Sequence, residues 1–305
     1  MIIPPSLKPG DTIGIVSPSG KIRPGSLDTA ISRFEQWGLK VVTGRNVYSG
    51  HNQFGGSDTQ RAADLQLMLD DTEIKAVMCS RGGYGSVRII DRIDFRGLIA
   101  GPKWVTGYSD ITVLHSHINT ICGIETLHAV MPSELSPHKN PPVSAKSLDL
   151  FKEALFGTIP AYYQPNHPLS RKGKAEGILT GGNLSVLYSL VGSESEPEMA
   201  GRILFLEDVG EYLYHIDRIM VALKRNGILE EIGGLVVGSM NDMKDSRVPF
   251  GKTAEEIIAE AVEDYHYPVL FGFPAGHNTE NHPLVLGRNA TLSVGETTSS
   301  LVFLI

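Results

Sequence analysis

Apolar positions in the first 130 residues follow two alternating periods. Short runs of strand length are DTIGIVSPS (11–19, with Ile13, Ile15 and Val16), GLKVVTG (38–44), EIKAVMCS (73–80) and KWVTGYS (103–109). Between them, apolar residues return every three or four positions, as a helix with one buried face requires. Leu27, Ala30, Ile31 and Phe34 mark one such face, and Ile111, Leu114, Ile118 and Ile121 another. SDTQRAADLQLMLDD (57–71) opens with capping residues and reads as helix. Strands alternating with helices predict a parallel sheet covered on both sides.

The pattern changes at residues 131–176. MPSELSPHKNPPVS and GTIPAYYQPNHPLSRKGKAEG are rich in proline, serine and charge and flank one helical stretch, AKSLDLFKEALFG (145–157). Beyond them come strands EGILT, RILFLED, GGLVVGSM, PVLFGFP, TLSVG and SLVFLI. Helices are predicted at 213–224, with Ile216, Ile219, Met220 and Leu223 on one face, and at 253–265. A chain of 305 residues exceeds the size at which single cores stop growing. The expected organisation is an N-terminal domain over 1–160, a linker over 161–176, and a smaller, strand-rich C-terminal α/β domain over 177–305.

Composition narrows the function classes. Hydrophobic residues are 41% and charged residues 20% of the chain, and the net charge is −7. With no basic tract, nucleic acid is a poor partner. No apolar run nears the ~20 residues that span a bilayer. The opening MIIPPSLKPGDTIGIV has neither a basic n-region nor a long apolar core, so no signal or transit peptide is read and a cytoplasmic location is expected. Cys79 and Cys122 lie in apolar surroundings and read as buried free thiols.

Ligands and catalytic groups of open α/β sheets gather at the carboxyl ends of strands. Two glycine-rich turns fall there, SRGGYG (80–85) and GYSD (107–110). The serine in the second, Ser109, is either a helix cap or a nucleophile exposed at a strand-to-helix turn. The N–H of Asp110, with that of Gly82 or Gly83, could bind an oxyanion. The turns match no phosphate-binding fingerprint. A nucleophilic serine needs a base, and the base needs an orienting carboxylate. His277, in FGFPAGHNTENHPLVLG, follows a strand and a glycine; His282 is the reserve candidate. His115 and His117, two apart on one helix, read as surface or partly buried residues and a poor metal pair. Glu207 closes the apolar strand RILFLED, with Asp208 and Glu211 as competitors.

Together, RGGYG, GYSDIT, LTGGNLS, LFLEDVGE…IDRIM and FPAGH…PLVLG resemble the LD-carboxypeptidase family of serine peptidases, which includes muramoyltetrapeptide carboxypeptidases and microcin C immunity-type enzymes. The resemblance covers nearly the whole chain. It implies a Ser-Glu-His triad falling on Ser109, Glu207 and His277. It also implies an N-terminal flavodoxin-like domain, similar to class I glutamine amidotransferases, carrying the serine, a C-terminal domain carrying the other two, and a homodimer. The activity implied is cytoplasmic removal of the terminal D-Ala from murein tetrapeptides in peptidoglycan recycling, without metal or organic cofactor. Recognition of the substrate carboxylate would fall to groups such as Arg81, with Arg218 a further possibility and Tyr84 and His128 lining the pocket. Departures from the family pattern are Asn278 after the histidine, Val285 in place of proline, and LHAVMP (127–132) in place of an H-G-P run. They bear on pocket shape. The alternatives are an immunity-type amidase cleaving a peptidyl-nucleotide toxin, an α/β-hydrolase esterase, and a non-catalytic two-lobed binding protein. The esterase fold wants G-x-S-x-G, and Ile111 stands where its last glycine belongs.

Overall fold

In the computed structural model, residues 1–139 and 141–304 are described. Asn140 of the proline-rich segment and Ile305, the last residue of the expected C-terminal strand, lie outside them. The chain opens β1 (Thr12–Val16), α1 (Asp28–Gln36), β2 (Lys40–Thr43), α2 (Asp58–Asp70), β3 (Ile74–Cys79), α3 (Arg96–Ala100), β4 (Trp104–Gly107), α4 (Thr112–His117), β5 (Thr126–His128) and α5 (Ala145–Leu155). It continues β6 (Tyr162–Pro165), β7 (Gly173–Asn183), α6 (Leu184–Leu190), β8 (Ile203–Val209), α7 (Leu213–Arg225), α8 (Ile228–Glu231), β9 (Gly234–Asn241), α9 (Ala254–Ala261), β10 (Val269–Leu270), β11 (Leu284–Leu286), β12 (Asn289–Val294) and β13 (Thr298–Phe303).

Two mixed sheets result. The first has the order β2-β1-β3-β4-β5-β11. Its first five strands are parallel in the 2-1-3-4-5 order of doubly wound folds, which puts the carboxyl ends of β1, β3 and β4 side by side. The second runs β10-β9-β8-β7-β12-β13-β6, parallel from β10 to β7 and antiparallel from there on. Ile13, Ile15 and Val16 of β1 are fully buried, as a strand covered on both faces requires. In α2, Ser57 and Gln60 form a reciprocal capping box. The predicted face of α7 is buried in full: Ile216, Ile219, Met220 and Leu223.

Several expectations change. The helix after Ser109 starts as a 3₁₀ turn (Ser109–Ile111) and ends in a π turn (Ile118–Cys122). The π turn rotates the following side chains off the 3.6-residue face. Ile121 is therefore 49% exposed, and Cys122 is buried in its place. His115 and His117 are buried, because α4 is covered on all sides. His115 Nε2 meets Gly107 O at 2.8 Å, and His117 Nδ1 meets Ser195 Oγ at 2.9 Å. The segment read as a linker, 161–176, carries β6 and the first residues of β7. β11, which lies in none of the expected strands, leaves the C-terminal half to pair antiparallel with β5 in the first sheet. Beside it the Arg288 guanidinium meets Glu125 at 2.6–3.2 Å, a buried ion pair between the halves. Both cysteines are free and buried. No helix among the described residues is long and apolar enough to cross a membrane.

Candidate active site

The chain leaves β4 through Tyr108, which is extended, and enters Ser109 with φ +64°. A left-handed serine costs roughly 1–2 kcal/mol and marks a site that the surroundings must hold in place. Ser109 does not cap the turn it opens: the N-cap position is Tyr108, and no side chain caps the turn. The first bond of the turn runs from Ile111 N–H to Tyr108 O at 3.3 Å. The N–H groups of Ser109 and Asp110 thus have no partner within it. Asp110 points its buried carboxylate inward, accepting from Ser19 Oγ at 2.5 Å and Ser86 N–H at 2.8 Å. That anchor fixes the turn from below. Across from it lies Gly82, where a Cβ would stand 2.9 Å from Ser109 Oγ. Only glycine lets the RGG turn approach so closely.

Glu207 ends the apolar part of β8 and is fully buried. A register shift against β9 between Leu206 and Asp208 aims it toward the 271–283 loop. Its Oε2 accepts from His277 Nδ1 at 2.7 Å and from His277 backbone N–H at 3.2 Å. Gly276 makes this approach possible: its φ is +108°, and a Cβ there would lie 2.6 Å from Glu207 Oε2. Asn241 Nδ2 donates to His277 O at 2.7 Å, and the Tyr108 ring meets the His277 ring edge-on at 4.8 Å. Burial works against a charged His277. The Glu207 carboxylate outweighs it, helped by Glu134 and Asp208, so the imidazole titrates above its usual value. With Nδ1–H committed to Glu207, Nε2 is the nitrogen left for chemistry.

Ser109 and His277 line one cleft of about 1200 Å³, together with Tyr108, Gly82, Gly83, Arg81, Lys21, Arg23, Glu134 and Lys139. No hydrogen bond joins Ser109 to His277 in this state; nucleophile–base contacts of this kind commonly tighten around substrate. Both competitors for the carboxylate role are engaged elsewhere. Asp208 accepts from Asn183 Nδ2, Ser185 N–H and Val209 N–H, and burial beside the Glu207 charge pushes it up to about 6. Glu211 holds His215 at 2.6 Å.

Arg81 reaches the cleft, its Nη1 donating to Lys21 O at 3.0 Å. Tyr84 does not: it is half exposed and packs on Phe54 at 6.0 Å. His128 is fully buried between Tyr108 and Phe205, so it lies outside the cleft wall, contrary to expectation. Arg218 lies over Tyr214, and His282 is buried against Tyr162. The sequence reading passed over Tyr108 and Glu134; the first stood in view beside Ser109, the second inside a segment read as the end of a domain. Among the described residues no group of three or more His, Cys, Asp and Glu side chains is placed to hold a metal.

The LD-carboxypeptidase N-terminal domain family matches residues 13–129, and the LD-carboxypeptidase C-terminal domain family matches residues 176–292. The chain belongs to the LD-carboxypeptidase family. Like other LD-carboxypeptidase family members, it is thereby a peptidase and hydrolase. It is 35% identical to a probable murein peptide carboxypeptidase of Bacillus subtilis, over 97% of this chain and 93% of that protein. Its fold superposes on the crystal structure of muramoyltetrapeptide carboxypeptidase from Oxalobacter formigenes with a TM-score of 0.84 and 27% identity, covering 96% of this chain and 98% of that one. It is also 28% identical to the microcin C7 self-immunity protein MccF of Escherichia coli, over 90% of this chain and 88% of that protein.

Proposed function

We propose that this LD-carboxypeptidase family member is a serine carboxypeptidase acting on murein tetrapeptides, with Ser109 as nucleophile, His277 as general base and acid, and Glu207 as the orienting carboxylate. The observation that carries the reading is the buried Glu207–His277 pair facing the same cleft as a serine held in a left-handed conformation. Ser109 Oγ attacks the carbonyl that joins an L-centre to the terminal D-Ala, while His277 Nε2 takes its proton. The tetrahedral oxyanion is met by the N–H of Asp110 and that of Gly82 or Gly83, each such donor lowering the barrier by roughly 3 kcal/mol. His277 then protonates the leaving amine, and water, deprotonated by the same imidazole, hydrolyses the acyl-enzyme. Glu207 keeps the imidazole in the tautomer that leaves Nε2 free and stabilises the imidazolium. Arg81, beside the cleft, supplies a guanidinium for the free carboxylate of the departing residue. No step calls for a metal or organic cofactor. The site of action is the cytoplasm, in peptidoglycan recycling, and the working form is a homodimer.

A second reading is an immunity-type amidase acting on a peptidyl-nucleotide, favoured by the similarity to MccF. Against it, neither tryptophan offers a stacking surface in the cleft. Trp37 packs on Phe34 and Phe151, and Trp104 is 3% exposed. The deciding experiment incubates wild type and Ser109→Ala with a murein tetrapeptide and reads the products by mass spectrometry. Loss of a single terminal D-Ala with wild type only is the expected result. An intact tetrapeptide after incubation with folded wild type would refute the carboxypeptidase reading and leave the amidase.

A further inference from the structure

We propose that Glu134 is a positioning residue for the His277 imidazole, acting on it both through the Tyr108 ring and by its own charge. The inference rests on the triad reading above. Its geometry is independent of the substrate.

Glu134 belongs to a 3₁₀ turn (Pro132–Leu135) on the cleft wall. Two donors fix its carboxylate. Tyr108 O–H donates to Oε1 at 2.6 Å, and Met131 N–H donates to Oε2 at 2.9 Å. The first bond ties the cleft wall to the residue that precedes Ser109. It also sets the direction of the Tyr108 ring, which is 3% exposed and makes an edge contact with the His277 ring, the two ring centres 4.8 Å apart. Glu207 meets the imidazole ring itself at Nδ1 alone, its other bond being to the His277 backbone N–H, which leaves the ring to rock about the Nδ1 bond. The Tyr108 ring closes one side of that motion, and Glu134 holds the ring. Ser133 N–H donates to Ser80 O at 3.0 Å, so the turn carrying Glu134 is braced on the strand end beside the RGG turn.

The same carboxylate acts on His277 by charge. The groups around the imidazole are Glu207 and Asp208 from β8, Glu134 from the cleft wall, and His128 from β5. Lys139 lies 3.7 Å from Glu134 Oε1 and offsets part of its charge. Glu134 is the carboxylate of this set that stands on the cleft wall, so its charge is felt where the imidazolium of the transition state forms.

Two substitutions separate the roles. Glu134→Gln keeps an oxygen to accept from Tyr108 but removes the charge. Tyr108→Phe keeps the ring and the charge but removes the bond. The His277 titration is read by NMR in the resting protein, and kcat, KM and their pH profiles are read with the tetrapeptide. In Glu134→Gln the His277 midpoint moves down, and the acid limb of kcat/KM moves with it. In Tyr108→Phe the midpoint holds, while kcat falls several-fold at constant KM. Glu134→Asp restores the midpoint toward wild type. A Glu134→Gln midpoint identical to wild type, or Tyr108→Phe kinetics that superimpose on wild type, overturns the proposal. If wild type leaves the tetrapeptide intact, the NMR arm still decides: a moved midpoint sustains the Glu134–His277 coupling while the substrate reading fails, and an unmoved one ends both.

Discussion

Replacing Gly82 by alanine puts one methyl group against the candidate nucleophile. Gly82 is not in the left-handed region, so its backbone accepts an alanine. The added Cβ would stand 2.8 Å from Ser109 Cβ and 2.9 Å from its Oγ, with Met131 Cε behind at 3.5 Å. Ordinary contact begins near 3.4 Å, so the two side chains must part by about 0.5 Å. Ser109 cannot absorb this freely, because its φ of +64° is already held by the anchored Asp110 turn. A 1 Å error in reacting geometry costs about 100-fold, so a loss in kcat between about 10- and 100-fold is expected. Overpacking of this size destabilises by ~1–2 kcal/mol, a shift of a few degrees in Tm. The assay is steady-state cleavage of the tetrapeptide by Gly82→Ala beside a thermal melt. A folded variant with kcat within twofold of wild type would refute the claim that Gly82 sets the position of Ser109.

Glu207→Gln should lower kcat by roughly 10³–10⁴-fold with KM little changed, since the amide no longer favours the Nδ1–H tautomer; stopped assays on purified variant check it. Burial lowers the His115 pKa to about 4 against an unfolded value of 6.5, so the neutral ring stabilises the fold above pH ~6.5 and that contribution is lost as pH falls toward 4. Urea titrations at pH 7, 6 and 5 should show His115→Gln losing less stability on acidification than wild type, by up to about 1.4 kcal/mol per pH unit; Asp208, whose pKa is raised to about 6, titrates in the opposite sense in both proteins and cancels in the difference. Arg288→Ala should destabilise by about 3–5 kcal/mol in urea, because it strands the buried Glu125 carboxylate, and a paired replacement of both residues by apolar side chains should cost less than the single one.

What could be read from the sequence followed from local rules. The strand-helix alternation gave the order of the first sheet its basis, and the 3.6-residue spacing of Ile216, Ile219, Met220 and Leu223 named a buried face correctly. Glu207 and His277 were legible because each closes an apolar strand or follows a strand and a glycine, and the structure brings them to 2.7 Å. The failures were non-local. β11 is three residues long and pairs with a strand more than 150 positions earlier, so no window of sequence contains its partner. Ile121 was misplaced because a π turn is invisible in a 3.6-residue pattern. His128 was taken for a pocket residue, whereas it is buried against Phe205, which arrives from the other half of the chain. Glu134 carries no motif of its own, and its importance appears only once Tyr108 is seen to donate to it.

β11 also changes what counts as a part of this molecule. The loop bearing His277 leaves the second sheet at β10 and enters the first at β11, so it is stitched into both. A fragment ending near residue 160 would keep the serine and lose the outermost strand of its own sheet. The edge of β5 would then present unpaired N–H and C=O groups to solvent, an open invitation to strand addition by another copy. Adding back the C-terminal piece would restore the sheet edge and the histidine in one event.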